Sequence, residues 1–117
     1  MDPAVEETLY FGRQRPAGGE VSDAEWARFV EATVAPAFPD GFTTWEAQGA
    51  WRGNDGRLVR EGSQVLMVVH AGDASSDERV RLVADAYRKQ FEQEAVLRLG
   101  TATCMGVSRI APLPQGR

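Results

Sequence analysis

The spacing of apolar residues switches between two periods along the chain, and this switching most constrains the fold. A spacing of two is typical of a strand, whereas spacings of three and four are typical of a helix with one buried stripe. The segments follow in the order strand, helix, strand, strand, helix, strand. This order predicts an α+β domain, a ferredoxin-like βαββαβ sandwich with two helices on one face of a four-stranded antiparallel sheet. The predicted spatial strand order is 4-1-3-2, and the sheet face without helices is expected to be polar or to be buried against a partner.

Both helices are predicted from a capping sequence that precedes an apolar stripe. Ser22 and Glu25 have the spacing of a capping box. The stripe that follows contains Trp26, Phe29, Val30, Thr33 and Val34. The second helix is predicted to be capped by Ser75–Glu78 and to bury Val80, Val83, Ala84, Tyr87 and Phe91.

Four strands are predicted around these helices. They are Thr8–Gln14, Phe42–Arg52, Leu58–His70 and Ala95–Val107. The segment Asn54-Asp55-Gly56 predicts a tight turn between the second and third strands, since glycine tolerates the positive φ that such turns require. Gly62 is a candidate bulge, and the dense apolar run Val65–Val69 predicts that the third strand is central.

Length and composition limit the class of protein. The chain has 117 residues and no repeat, which predicts one domain over residues 8–107 with flexible tails at residues 1–7 and 108–117. The net charge of −4, without a basic stripe, argues against nucleic acid and anionic membranes as partners. The first residues lack a basic and apolar leader, which predicts a cytoplasmic protein if no export segment precedes them.

Motifs for cofactors and metals are missing from the sequence, so no cofactor is predicted. The chain has one cysteine and one histidine, too few for an internal disulfide or a Cys/His zinc cluster. The glycine-rich segment Gly12–Gly19 lacks the Gly-Lys-Ser/Thr ending of a phosphate-binding loop. Asp55, Asp73 and Asp77 do not have the spacing of a calcium loop.

Several segments are distinctive as sequences. They are Thr8–Gly12 (TLYFG), Pro36–Gly41 (PAFPDG), Ala47–Trp51 (AQGAW) and Tyr87–Val96 (YRKQFEQEAV). In this order they resemble a bacterial domain-of-unknown-function family that is marked by a TLYFG motif. The chain differs from the pattern of that family at Ala37, Gln64 and Ala95, where Arg, Lys and Ser are common. The resemblance implies the fold and implies no particular activity.

The polar side of the second strand is the first candidate site. Glu46, Gln48 and Arg52 share one face of the strand, and Tyr10 and Arg98 would join them if the strand registers agree. A carboxylate, an amide, a phenol and a guanidinium together suit proton transfer or the binding of a polar ligand. The alternative interpretation is a sheet surface that faces solvent or a dimer interface.

Two other residue types complete the candidates. His70 ends the third strand and is a candidate base, because imidazole titrates near neutral pH, although a lone histidine here also suits a structural role. Cys104 is excluded as its partner because the first strand lies between the third and fourth, so it is predicted to be a small buried residue. Trp45 and Trp51 lie on the other side of the second strand and are predicted to line a pocket or anchor a dimer.

Two functions stay open at this point. The first is a small cofactor-independent enzyme that acts on an apolar, aromatic or polyketide-like metabolite by proton transfer, as an isomerase or cyclase does. Its base would be Glu46 or His70, and Tyr10 would be the donor. The second is a non-catalytic small-molecule-binding or protein-interaction module that uses the tryptophan surface, and a homodimer is predicted for either. Burial of Glu46 in an apolar cleft would favour the enzyme.

Overall fold

The computed structural model describes residues 1–109 of the chain. Its strands are β1 (Asp2–Gly12), β2 (Thr43–Arg52), β3 (Leu58–His70) and β4 (Leu97–Met105). They form one antiparallel sheet in the order β2-β3-β1-β4, which is the predicted order read from the other edge. The predicted ferredoxin-like α+β arrangement is therefore confirmed.

Helical segments cover one face of this sheet. Helix α1 (Asp23–Phe29) continues through a π-helical turn (Val30–Val34) into the short helix α2 (Ala35–Ala37), and α3 (Ala74–Gln90) follows β3. The predicted capping box is present, since the Glu25 amide donates to Ser22 Oγ and the Ser22 amide donates to the Glu25 carboxylate. The cap predicted for the second helix is wrong, because Asp73 caps α3 through its carboxylate, which accepts from the Ser76 amide at 2.8 Å.

The core lies between the helices and the sheet. Its large rings are Phe11, Trp26, Phe29, Phe38, Tyr87 and Phe91. Their closest pairs, Phe11 with Tyr87 and Tyr87 with Phe91, have centroids 4.7 Å apart, within the range of favourable aromatic contacts. The core positions predicted for Trp26, Tyr87 and Phe91 are thus confirmed. Burial raises the pKa of Tyr87 to about 12, and its hydroxyl donates to the Gly12 carbonyl at 2.7 Å.

Strand β1 begins at Asp2, six residues before the predicted start at Thr8, so residues 2–7 belong to the sheet and not to a tail. The predicted start is wrong because Pro3 is more typical of a tail than of the interior of a strand. Pro3 pairs with β4 only, because β3 ends where His70 faces Val5, and a proline is tolerated where a strand has one neighbour. Of the tail predicted at residues 108–117, all but the first two residues lie outside the described part of the chain.

Two smaller predictions about single residues are also wrong. Cys104 is exposed, since it lies opposite Pro3 at the corner where only two strands remain. Gly62 pairs with Gln48 in an unbroken ladder, so it marks no bulge.

The register assigns each strand residue to one of two faces. We call the face toward the helices the inner face, which carries Leu9, Phe11 and Leu66, and the opposite one the outer face. One cross-strand row on the outer face contains Trp45, Val65, Tyr10 and Leu97. Within residues 1–109, none of the helices is both long and apolar enough to cross a membrane.

Candidate functional site

The polar row predicted on β2 exists, but its carboxylate is exposed. Glu46, Gln48 and Arg52 share one face of β2, as predicted, and the register shows that it is the inner face. The Glu46 side chain is 66% exposed and accepts hydrogen bonds from Arg13 at 3.3 Å and from Gln64 at 3.4 Å. Glu46 therefore does not lie in an apolar cleft, the condition on which its role as a base depended.

The three predicted catalytic residues lie in three separate places. Tyr10 is on the outer face, whereas Glu46 and His70 are on the inner face. Glu46 is paired with Gln64 on β3. Gln64 lies six residues before His70 on the same strand, so Glu46 and His70 are separated by about 20 Å along the strand direction. The structure does not bring these side chains together.

His70 and Arg98 instead belong to a charged network, which we call the inner-face cluster, formed by Glu7, His70, Asp77 and Arg98. Arg98 donates two hydrogen bonds to the Glu7 carboxylate, both of 2.9 Å, and a third to Asp77 at 2.8 Å. Glu7 also lies 2.9 Å from His70 Nε2, and its side chain is only 7% exposed. Charge-assisted bonds of this kind link β1, β3 and β4 to the first turn of α3.

The two ring nitrogens of His70 are both occupied. The Gly72 amide donates to Nδ1 at 3.0 Å, so Nδ1 is the acceptor and Nε2 carries the proton that is donated to Glu7. The His70 side chain is 8% exposed. Because neither nitrogen has a free lone pair that a substrate can reach, the geometry favours the structural role of His70.

Glu7 is held ionised by its partners. Burial raises the pKa of Glu7, but hydrogen bonds from Arg98 and His70 outweigh burial, and the pKa is lowered from its ordinary value. The carboxylate accepts from both neighbours, so it has little capacity left for a ligand. The inner-face cluster is thus best understood as a connection between the sheet and α3.

The outer face carries a concavity of about 960 Å³, which we call the outer-face concavity. It lies between the distal half of the β2–β3 hairpin and the segment that precedes β4. Its walls include Tyr10, Trp51, Glu61, Ser63, Gln93 and Leu97. Two of the predicted site residues, Tyr10 and Trp51, therefore lie in one concavity, whereas Trp45 does not line it.

Gly12 forms part of the floor of this concavity and leaves room for two oxygen atoms. A Cβ atom at this position would lie 2.7 Å from Glu61 Oε1 and 3.2 Å from Gln93 Oε1. The Gln93 amide nitrogen donates to the carbonyls of Gln14 at 2.9 Å and Phe91 at 3.1 Å, which fixes the orientation of the amide. Among residues 1–109, no hydrogen bond or ion pair reaches the Glu61 carboxylate.

The sequence analysis missed Glu61 and Gln93 as site residues. A period of two counted back from Val65 places Glu61 on the face of Val65, but the supposed bulge at Gly62 broke that count. Gln93 follows the end of α3, and no local pattern shows that its side chain reaches the strand at Gly12. The face on which Glu61 lies was accessible from the sequence, and the position of Gln93 was not.

The fold and these sites define a two-layer, ferredoxin-like α+β domain with a concavity on the sheet face that the helices leave open. The chain belongs to the DUF3574 family of proteins of unknown function, whose model matches residues 6–106. No curated protein matches the chain.

Solved structures with a similar fold include a phage SAM lyase and CutA. A phage SAM lyase in complex with S-methyl-5′-thioadenosine has a TM-score of 0.62 at 12% identity, over 90% of this chain and 92% of that one. A phage SAM lyase in the apo state has a TM-score of 0.58 at 15% identity, over 92% and 94% of the two chains. CutA from Synechococcus elongatus has a TM-score of 0.55 at 12% identity, over 89% and 80%. At these identities the likeness shows the fold alone.

Proposed function

We propose that the protein is a cofactor-independent enzyme that transfers a proton on a small molecule, and that its site is the outer-face concavity. One observation carries the proposal. The Glu61 carboxylate lies over Gly12, without a hydrogen-bond partner in the described part of the chain, in a concavity that Tyr10 also lines. Glu61 takes the place of Glu46 and His70 as the proposed base.

The proposed reaction is the removal and return of one proton. Glu61 takes a proton from a carbon next to a carbonyl group, and the electron pair of the broken C–H bond moves onto the carbonyl oxygen. The Tyr10 hydroxyl donates a hydrogen bond to the oxygen as its negative charge develops. In a substrate with a C=C bond next to the deprotonated carbon, the electron pair moves back from the oxygen through the conjugated system, and return of the proton to the far carbon shifts the double bond and gives an isomer. Trp51 and Leu97 contact the apolar part of the substrate.

Two further observations support this choice of site. Three of the four segments on which the family resemblance depends supply residues to the concavity although they are far apart in the sequence; they are Thr8–Gly12, Ala47–Trp51 and Tyr87–Val96. A protein with a similar fold is a SAM lyase that was solved with S-methyl-5′-thioadenosine, which supports the use of this architecture for small-molecule chemistry.

Deuterium exchange tests the proposal without a known substrate. The protein is incubated in D₂O with an extract of small metabolites and, separately, with S-methyl-5′-thioadenosine, and products are measured by mass spectrometry. We expect a metabolite that gains deuterium at carbon or changes into an isomer, and we expect Glu61→Gln to abolish this change. Glu31→Gln, at an exposed position of the π-helical turn, is the matched control and should leave the change intact. Equal exchange with wild type and Glu61→Gln would refute the role of Glu61.

A second candidate function, self-association, is favoured by the apolar side chains of the outer face. Leu99 lies in the row that also contains Thr43, Met67 and Thr8, next to the row of Trp45. Neither row contains a charged residue, and Leu99 and Trp45 are 51% and 45% exposed. A second copy of the same face can cover such rows without repulsion between charges, and as the alternative to a ligand site that uses Tyr10 and Leu97 we therefore propose a homodimer.

Lysine substitutions at two leucines of similar exposure test the proposed homodimer. Leu99 on the outer face and Leu82 on α3 are 51% and 58% exposed, so a lysine at either position has a similar cost in the monomer. We expect Leu99→Lys to dissociate the dimer in sedimentation equilibrium, and Leu82→Lys to leave it intact. A wild-type protein that sediments as a monomer would contradict the proposal.

A further inference from the structure

We infer that the outer-face concavity selects ligands that present a nitrogen hydrogen-bond donor, preferably a positively charged one, beside a flat apolar group. This inference rests on the proposed function, because it names the substrate class of the same site. It depends on which atoms of Glu61 and Gln93 face the space over Gly12.

Gln93 presents an acceptor whose orientation is fixed. Its side-chain nitrogen donates to two backbone carbonyls, of Gln14 and Phe91, and only the NH₂ end of an amide can pair with two acceptors. The oxygen end consequently lies over Gly12, 3.2 Å from the position that a Cβ atom would take. A ligand that meets this oxygen must bring an N–H or O–H group.

Glu61 adds a second acceptor at the same place. Its Oε1 is 2.7 Å from the same Cβ position, so the carboxylate and the Gln93 oxygen crowd one small volume. Two acceptors cannot bond to each other while the carboxylate is ionised, whereas a donor placed between them satisfies both. A nitrogen with several hydrogens suits this arrangement better than a hydroxyl group, which has only one.

The charges and rings around the two oxygens favour a cation. Glu94 also lines the concavity, and the basic residue at its border, Arg60, faces Ala50 on the inner side of the hairpin. The rings of Tyr10 and Trp51 offer faces to a flat group and to a neighbouring positive charge. A carboxylate ligand would instead meet acidic groups.

A ligand with a nitrogen donor beside a flat apolar group is compatible with the proposed proton transfer. When Gln93 holds the nitrogen, Glu61 lies beside that nitrogen and can reach the neighbouring carbon. The substrate class is therefore a small molecule in which the labile C–H bond is close to an amino or amidine-like nitrogen. Gln93 acts as a specificity-determining residue, and Glu61 contributes both charge and the base.

Three benzene derivatives of similar shape test the proposed ligand class. Benzamidine is cationic and rich in N–H donors, benzamide is neutral, and benzoate is an anionic acceptor. Each is titrated into ¹⁵N-labelled protein, and the amide signals of Gly12, Ser63 and Gln93 are followed. We expect saturable shifts with benzamidine, affinity about tenfold weaker with benzamide, and no saturable shift with benzoate, since charge-assisted bonds are roughly twice as strong as neutral ones.

Variants separate the two acceptors. Glu61→Gln should lower the affinity for benzamidine about tenfold and leave the affinity for benzamide within a factor of about two of wild type, because only the charge is removed. Gln93→Met should lower the affinity for both benzamidine and benzamide, because it removes the neutral acceptor. Glu31→Gln should change neither, and urea unfolding confirms that each variant is folded.

The outcomes distinguish this inference from the proposed function. Benzoate that binds as tightly as benzamidine would overturn the ligand class and leave the site in place. Shifts that map away from the concavity for every probe would overturn the ligand class and the site together. Benzamidine binding at Gly12 with no deuterium exchange in any metabolite would support the ligand class and refute the proposed reaction.

Discussion

Two glutamates on opposite faces of the same sheet have opposite surroundings. Glu7, on the inner face, is 7% exposed and is bonded to Arg98 and His70. Glu61, on the outer face, has no such partner in residues 1–109 and lies in a concavity beside an amide oxygen. The comparison teaches that a carboxylate whose bonding capacity is filled by the protein stabilises the fold, whereas one with capacity left over is available to a ligand.

The largest difference is expected in stability. Glu7→Gln removes the buried carboxylate of the pair and leaves the Arg98 guanidinium only the more exposed Asp77 as an ionic partner in the cluster. Loss of one partner of a buried pair costs about 3 kcal/mol. Glu61→Gln breaks no hydrogen bond or ion pair within the described residues, so its free energy of unfolding should stay within about 0.5 kcal/mol of wild type. Urea unfolding followed by circular dichroism measures both values.

Equal losses from these two variants would erase the distinction between the faces. Glu78→Gln, on the surface of α3, removes an exposed ion pair with Arg81 and serves as the control. It should have an effect below about 1 kcal/mol, as is usual for surface pairs.

The second difference is expected in pH dependence. The folded-state pKa of Glu7 is lowered below its ordinary value of 4.5, so its contribution to stability is complete above that value and is lost as the pH falls through the folded-state pKa. The free energy of unfolding of wild type minus that of Glu7→Gln should therefore be constant near neutral pH and should shrink below pH 4.5. Urea titrations at several pH values check this. A difference that grows on acidification would show that Glu7 is not held as a carboxylate by Arg98 and His70.

The smallest effect on stability, with a selective effect on the site, is expected from Gly12→Ala. The new Cβ would meet the end of the flexible Glu61 side chain at 2.7 Å, so Glu61 moves while the strand stays in place. We expect a change in the free energy of unfolding below about 1 kcal/mol and a loss of benzamidine shifts comparable to that of Glu61→Gln. Gly100→Ala on β4, outside the concavity, is the control for an added methyl group in a strand, because its Cβ would have an ordinary contact of 3.5 Å with the Glu7 side chain. Unchanged benzamidine binding in Gly12→Ala would show that the position of Glu61 over Gly12 is unimportant.

Local signals in the sequence were sufficient for the fold. The capping box at Ser22, the turn at Asn54–Gly56 and the run Val65–Val69 each depend on neighbours in the sequence, and together they predicted the elements and the sheet order. The start of β1 was missed because the pairing of Pro3 depends on where β3 ends, which is a tertiary property.

The candidate site was predicted less well, for a physical reason. Glu46, His70 and Tyr10 are chemically suited to proton transfer, but whether they meet depends on register, and no short-range pattern sets the register between β1, β3 and β4. The prediction that Trp45 and Trp51 lie on the side of β2 opposite Glu46 required only alternation along one strand, and it is confirmed by the register. Residue chemistry can thus be read from the sequence, whereas its juxtaposition across strands cannot.

The position of β1 between β3 and β4 also has a consequence for how the chain folds. Tyr10 pairs with Val65 on one side and with Leu97 on the other, so the first strand has no partner among its near neighbours in the sequence. Only the β2–β3 hairpin closes locally, and contacts of high sequence separation slow folding. During synthesis β1 therefore waits as an unpaired strand until β3 has emerged, and the sheet is complete only when β4, the last strand of the described chain, takes its place.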